Sequence, residues 1–195
     1  MVLTKYIKPF VSSFGKEKWK SRNIQTRKKA VQELPVSDQQ IIADIALNDS
    51  DESIKIIAIN KSSDLDLLQT IIMKGTSSSV KKAAEIRFYQ LLSGIKHPIP
   101  DYKDREKIIH GSRNPALLEF IAENAAEPEF RQLAIKRINR DALLGNIALK
   151  DTHADVRLAA AQQIAKRSTL ERVVKQARRK DKRVYKTVMA KLDNI

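Results

Sequence analysis

The feature that most constrains this chain is an apolar pattern that repeats about every 26 residues. One clear copy extends from Arg131 to Arg157, with two groups of Ile, Leu and Ala on either side of the polar break Asn139–Asp141. Apolar residues three or four positions apart lie on one face of an α-helix. Each copy therefore predicts two short helices joined by a turn.

The copies share one anchor position, which holds a basic residue in six of them and a tyrosine in the seventh. The anchors are Arg27, Lys55, Lys81, Arg105, Arg131, Arg157 and Tyr185, with separations of 24 to 28 residues. Six apolar groups begin at Ile41, Leu67, Leu91, Leu117, Leu143 and Leu170. Because one pair of short helices cannot bury its apolar face alone, neighbouring pairs must stack on it. The predicted fold class is all-α, an α-solenoid of short helical hairpin repeats of about 26 residues.

The repeats divide the chain into an N-terminal cap or arm, residues 1–23, and a single α-solenoid of about six hairpins, residues 24–195. Two helices and two turns in one repeat leave about 8–11 residues for each helix. The third repeat matches worst, because Pro98 and Pro100 cannot continue a helix, and we expect a loop over residues 94–102. The last predicted helix, Val184 to Leu192, has no second helix. It either caps the array or indicates that the chain is the front part of a longer protein.

Polar residues at the turns predict where helices begin. Asp64 and Asn114 occupy N-cap positions, where a side-chain oxygen accepts a backbone hydrogen bond. By the same pattern we expect Asp141 to cap the helix after it, Asp155 to cap the next one, and Ser168–Thr169 to begin another.

Composition excludes several classes of site. The chain has no cysteine, so it has no disulfide, thiolate metal site or cysteine nucleophile. It has no apolar run of about 18 residues and no apolar secretion signal. We therefore expect a cytoplasmic protein with no membrane partner.

No pattern of an enzyme is recognised. His97, His110 and His153 lack the spacing of metal ligands, and there is no Gly-rich phosphate loop or nucleophile elbow. A helical-repeat DNA glycosylase would use a Trp in its groove, but Trp19 precedes the repeats. We expect no catalytic residue, no metal, no cofactor and no small-molecule substrate.

The net charge of +14 is concentrated towards the two ends of the sequence. Residues 1–25 carry +5 and residues 163–195 carry +8, whereas residues 26–162 are nearly balanced at +1. A polyanion is therefore expected to contact the terminal segments first.

Both basic segments contain candidate nucleic-acid-binding residues. The N-terminal candidates are Lys16, Lys18, Trp19, Lys20 and Arg22, where the indole would stack on a base, or where the aromatic side chains would instead cap the first helical pair. The C-terminal candidates are Arg172, Lys175, Arg178, Arg179, Lys180, Lys182, Arg183 and Lys186.

The basic anchors have two alternative roles. Equivalent positions of stacked repeats lie about 10 Å apart on one face, so a ladder of cations would follow a phosphate backbone. Alternatively, each anchor pairs with a carboxylate between repeats, such as Asp49, Asp51, Glu127, Asp151 or Asp155. The balanced charge of residues 26–162 favours the structural role.

Two levels of resemblance follow from these residues. Asp155-Val156-Arg157 at a helix start, followed by alanines, resembles a compact HEAT-type helical repeat, so the hairpins are HEAT-like. The segments 14–20, 143–149 and 180–186 resemble the N-terminal region of long bacterial proteins of the domain-of-unknown-function 349 family. The resemblance covers nearly the whole chain, except the loop over residues 97–102. It implies a helical-repeat fold followed by coiled-coil segments, and it implies no catalytic residues.

The function expected from the sequence is that of a non-enzymatic binding scaffold. In the first hypothesis its basic ends contact DNA, RNA or a ribonucleoprotein, and binding weakens steeply with salt. In the alternative it is a protein-interaction module that uses a concave face and the loop from His97 to Tyr102, which are the candidate partner-binding residues.

Overall fold

The computed structural model describes residues 17–75 and 77–194. Those residues form one 3-10 turn, Lys18–Lys20, and twelve α-helices, and no strand occurs among them. The helices are α1 (Ile24–Glu33), α2 (Gln39–Asn48), α3 (Glu52–Lys61), α4 (Leu65–Lys74), α5 (Ser78–Leu92), α6 (Tyr102–Gly111), α7 (Pro115–Asn124), α8 (Pro128–Ile135), α9 (Asp141–Lys150), α10 (Ala154–Gln163), α11 (Arg167–Ala177) and α12 (Lys182–Leu192). The all-α prediction is confirmed, and every described helix except α5 has 8 to 11 residues.

The chain forms two compact units, with the boundary between Ala84 and Glu85 inside α5. In the first unit, α3 packs against both α1 and α2, and the 3-10 turn packs against α1. Each helix is too short to be stable alone, so these contacts between successive helices stabilise them.

The second unit shows the repeat most clearly, as two rows of helices. The first helices of successive pairs pack side by side, in the order α6, α8, α10 and α12. In the other row α9 packs against α11, and α7, α9 and α11 pack against α8, α10 and α12 respectively. Successive pairs therefore share a continuous core, as expected of a helical repeat solenoid.

Several residues three positions after the anchors are small and lie in the core. Ala58, Ala84, Ala134 and Ala160 are fully buried, and so is Val188 in α12. A small side chain at these positions lets two helix axes approach. Around them the interior consists mainly of Ile and Leu, together with Phe130.

The third repeat departs from the two-helix pattern, in agreement with the loop expected in place of its second half. Leu91 and Leu92 do not begin a second helix but end α5, a single helix of 15 residues. The residues between Lys81 and Leu91 include no Gly, Pro or Asn that would interrupt it. Residues 93–101 form the expected loop without regular structure.

Gly94 lies just after α5, in a backbone conformation that favours glycine. Its φ of +72° lies in the left-handed region, as is common just after a helix C-terminus. A Cβ atom here would also lie 2.7 Å from the Arg105 guanidinium. The residue is therefore required both by the turn and by the close approach of Arg105.

Two predicted helix caps are confirmed and three are wrong. Asp64 accepts a hydrogen bond from the amide of Leu67, and Asn114 caps α7. Asp141 instead is the first residue of α9, and its buried carboxylate accepts hydrogen bonds from the Ala165 and Lys166 amides just before α11. It satisfies donors one repeat further along rather than those of its own helix.

The other two corrections concern α10 and α11. Asp155 lies in the first turn of α10, after the N-cap residue His153, and its carboxylate accepts a hydrogen bond from Arg183. Ser168–Thr169 lies inside α11, which begins at Arg167.

Among the described residues, no helix has the length and apolar character needed to cross a membrane.

Candidate nucleic-acid interface

The anchors all occupy the same place in their helices. Each is the fourth residue of a first helix, and its amide donates to the carbonyl of the residue just before that helix. Four anchors are arginines with side chains that extend back over the preceding turn. Arg27, Arg131 and Arg157 donate from Nη1 to the carbonyls five and six residues earlier, and Arg105 donates from Nε to the Pro100 carbonyl.

The same four guanidinium groups also bind a carboxylate from the next inter-repeat turn. The pairs are Arg27–Asp49 (2.9 Å), Arg105–Glu127 (2.7 Å), Arg131–Asp151 (2.8 Å) and Arg157–Asp181 (2.8 Å). Each arginine thus joins the turn before its own helix to the turn that starts the next repeat. We call this arrangement the arginine clasp.

The clasp settles the role of the four arginine anchors. Arg27, Arg105 and Arg131 are buried, and their hydrogen bonds go to the protein's own carbonyls and carboxylates. A buried guanidinium whose N–H groups donate to the protein's own acceptors is not available to bind a phosphate. The arginine anchors therefore link repeats rather than forming a ladder that follows a polyanion.

The clasp also determines the pKa of its carboxylates. Burial raises the pKa of Glu127, but the hydrogen bond from Arg105, a backbone hydrogen bond and the Arg105 charge together leave the pKa below its usual 4.5. Burial likewise raises the pKa of Asp181, whereas hydrogen bonds from the Val184 amide and Arg157 bring it below its usual 3.8. Both carboxylates are therefore stabilised in their charged form by folding.

Acid is expected to destabilise the fold through these groups. Because their pKa values are lower in the folded state, their contribution is complete above about pH 5.5 and is lost as the pH falls through the folded-state values. We expect the urea midpoint to be constant from about pH 7 to 5.5 and to fall below about pH 4.5. The Glu127→Gln variant should be less stable than the parent at neutral pH, and its urea midpoint should fall less than the parent's on acidification. A midpoint that is constant down to about pH 3 would contradict this assignment.

Two of the C-terminal candidates are engaged within the protein. Arg172 donates to the side chain of Asn146 and to the Ala142 carbonyl, and its guanidinium fills the space that Gly145 leaves open. Arg183 forms an ion pair with Asp155 at 2.9 Å. Arg172 in α11 therefore contacts α9, and Arg183 in α12 contacts α10 while its side chain stays 58% exposed.

Five other candidates line one shallow cleft of about 530 Å³ at the turn between α11 and α12. All five are exposed, and within the described residues their side chains have no hydrogen bond or ion pair. They are Arg178, Arg179, Lys180, Lys182 and Lys186. The other lining residues are Asp181 and Tyr185. We call this group the basic cleft; Lys175 is exposed but does not line it.

The one carboxylate of the basic cleft does not neutralise it. Asp181 is bound by Arg157 and accepts two backbone amides at the start of α12, so its charge is already compensated. Five cations within nine residues therefore face solvent with no acid among them that is free to pair. This places the strongest local positive charge of the described chain in one concave patch.

The N-terminal candidates lie in a different electrostatic setting. The ammonium group of Lys20 lies 4.7 Å from the centre of the Trp19 ring and pairs with Glu17. Lys18 and Arg22 are exposed nearby, and Trp19 and Arg22 line a cleft of about 520 Å³ together with Asp44 and the clasp residue Asp49. Lys20 and Arg27 also line this cleft, but each is paired with a carboxylate, and Asp44 is in no ion pair within the described part of the chain, so little net positive charge is left there for a phosphate. Lys16 lies outside the described residues.

The two candidates in the loop contact different neighbours. His97 is exposed, and its carbonyl accepts a hydrogen bond from Arg87 at 3.1 Å. Tyr102 begins α6, and its ring stacks on Phe130 with 4.6 Å between ring centres. Tyr102 is nevertheless 40% exposed, as are Ile99 at 40% and Ile95 at 44%. The loop thus presents apolar surface to solvent.

Sequence reasoning missed the place of Tyr185 in the basic cleft, treating it only as a degenerate anchor. The signal was present, because this tyrosine replaces a clasp arginine within the densest run of cations.

Among the described residues, no group of three His, Asp or Glu side chains is placed to hold a metal ion. No known protein family, curated protein or solved structure matches the chain. Its relationship to the domain-of-unknown-function 349 family stays a hypothesis.

Proposed function

We propose that the protein is a non-enzymatic scaffold that binds nucleic acid, or the nucleic acid of a ribonucleoprotein, through the basic cleft. One observation carries the proposal: five exposed cations without partners line one concave patch. Lys and Arg side chains in such a patch bind phosphates and release the counterions condensed on a nucleic acid.

The contrast with the other cations of the chain supports this assignment. The clasp arginines and Arg172 donate to neighbouring helices and turns of the fold, and Arg183 is engaged in an exposed ion pair with Asp155. The cations of the basic cleft have no such structural use, and like charges placed together repel each other. A bound polyanion would remove that repulsion.

The test is a salt titration of binding, with fluorescently labelled single-stranded and duplex oligonucleotides of about 12 nucleotides. The triple variant Arg178→Glu, Arg179→Glu and Lys180→Glu is expected to bind at least about tenfold more weakly. Each lost phosphate contact also lowers the slope of log K against log salt, by about 0.7 on a single strand, so the triple variant should lose about 2.

A matched control changes the net charge equally at exposed cations outside the cleft. The variant Lys103→Glu, Lys107→Glu and Arg113→Glu lies in the same unit and should keep affinity within about twofold, apart from a long-range effect that salt screens. Equal losses in both variants would assign binding to net charge alone. Unchanged affinity in the cleft variant would overturn the proposal.

A second candidate function is favoured by the exposed side chains of Ile95, Ile99 and Tyr102. A protein partner would cover this apolar surface, as expected for an interaction module. Apolar contacts depend little on salt, so the same titration separates the candidates. Absence of salt-dependent nucleic-acid binding in the parent protein would leave the interaction module as the favoured function.

A further inference from the structure

Tyr185 is the aromatic residue of the described chain whose ring is both accessible and unused. Trp19 is covered by Lys20, Tyr89 lies against Phe120, Tyr102 lies on Phe130, and Phe88 is buried. The ring of Tyr185 is half-exposed and has no aromatic or cation contact, and its hydroxyl has no hydrogen bond within the described residues. Among the described residues, no polar or aromatic contact therefore engages the Tyr185 side chain.

The anchor position explains why this ring is available. In the four clasps the fourth residue of the helix is an arginine that extends over the preceding turn and binds its carbonyls. Tyr185 is the fourth residue of α12, and its amide donates to the Asp181 carbonyl in the same way. A phenol cannot donate as a guanidinium fork does, so the clasp is absent and the ring lines the basic cleft instead.

Lysine and arginine from the turn and from the helix line the same cleft as that ring. Arg178, Arg179 and Lys180 belong to the turn, and Lys182 and Lys186, four residues apart, lie on one face of α12. An aromatic ring within a group of phosphate-binding cations is the arrangement that single-strand-binding proteins use, where a base stacks on the ring while cations bind the backbone.

We infer that the basic cleft is specific for single-stranded nucleic acid and that Tyr185 is the platform on which a base stacks. This inference rests on the proposed function and extends it. A duplex keeps its bases stacked on each other, so it can offer phosphates to the cations but no base face to Tyr185. Every base has a π-face, so little sequence preference is expected.

The test compares a single-stranded oligo-dT of about 12 nucleotides, an abasic strand of the same length and a duplex. Tyr185→Ala should weaken binding to oligo-dT about 5- to 150-fold and leave duplex and abasic binding within about twofold. Tyr185→Phe should retain the parent affinity, whereas Tyr185→Leu should behave like the alanine variant. Thermal unfolding of each variant checks that the fold is retained.

The outcomes distinguish a failure of this inference from a failure of the proposed function on which it rests. If Tyr185→Ala binds all three probes as the parent does, or weakens all three equally, stacking is overturned while the effect of the charge-reversal variant still supports nucleic-acid binding. If the parent binds the abasic strand as tightly as oligo-dT, stacking is likewise overturned. If the charge-reversal variant binds as the parent does, the proposed function fails, and this inference fails with it.

Discussion

Replacing Arg131 with alanine is expected to lower the free energy of unfolding by about 3–5 kcal/mol. The guanidinium and the Asp151 carboxylate are only 10% and 9% exposed, so removing one leaves the other buried without its partner. The Ala125 and Ala126 carbonyls also lose the donor from Nη1. Removing one partner of a buried ion pair destabilises the fold by more than the intact pair contributes. This is because the remaining partner stays buried and cannot regain its hydration.

Arg167→Ala provides the matched control on the protein surface. Arg167 pairs with Glu171 one helical turn away, but the two side chains are 64% and 51% exposed. Water replaces such an ion pair, so the control should change the unfolding free energy by less than about 1 kcal/mol. Urea unfolding measures both variants. A loss at Arg131 no larger than at Arg167 would show that the clasp does not stabilise the stack.

A double-mutant cycle that combines Arg131→Ala with Asp151→Ala separates the interaction between the two side chains from the other contacts of each. Asp151 also accepts a hydrogen bond from the His153 amide, so its removal has a cost of its own. If the two side chains act as a unit, the double variant should be more stable than the sum of the single losses predicts. Strict additivity would show that Arg131 acts through the carbonyls alone.

The helical hairpins were predictable because the apolar period and the turns indicate the same boundaries. The Leu-Leu-Gly-Asn-Ile group of α9 and the Asn-Pro start of α7 are local signals, and the helices lie where these signals place them. In the third repeat the prolines predicted the loop, but the apolar pattern alone did not predict where the helix before it ends. Leu91 and Leu92 match the apolar pattern, but whether they begin a helix or end one depends on the absence of a breaker before them.

The partners of polar side chains were harder to predict, since they lie one repeat away. Asp141 has the local pattern of a helix cap, yet the amides that it binds are 24 and 25 residues further along. In the same way, Arg172 and Arg183 bind Asn146 and Asp155, which are 26 and 28 residues earlier. In a stacked repeat these separations correspond to neighbouring elements. The charge cluster itself was visible in the sequence, but its division into engaged and available cations required the fold.

The second large effect is expected from Phe130→Ala, with a loss of about 3–5 kcal/mol in the free energy of unfolding. The Phe130 side chain is 1% exposed, and its ring lies under that of Tyr102, with an interplanar angle of 28°. The guanidinium carbon of Arg105 lies 5.0 Å from the centre of the same ring. Truncation therefore removes buried apolar surface, an aromatic pair and a cation–π contact at one point.

Phe120→Ala is the matched control, because it makes the same truncation in the same unit. Phe120 also contacts an aromatic ring, that of Tyr89 at 5.5 Å, but it is only half-buried. Truncation removes less buried apolar surface here, so the loss in the free energy of unfolding should be about 1–2 kcal/mol. Hydrogen exchange should further show that Phe130→Ala loosens the amides of α6, where Tyr102 and Arg105 begin the helix. Equal losses in the two variants, with α6 unchanged, would contradict a central role for Phe130 in joining α8 to α6.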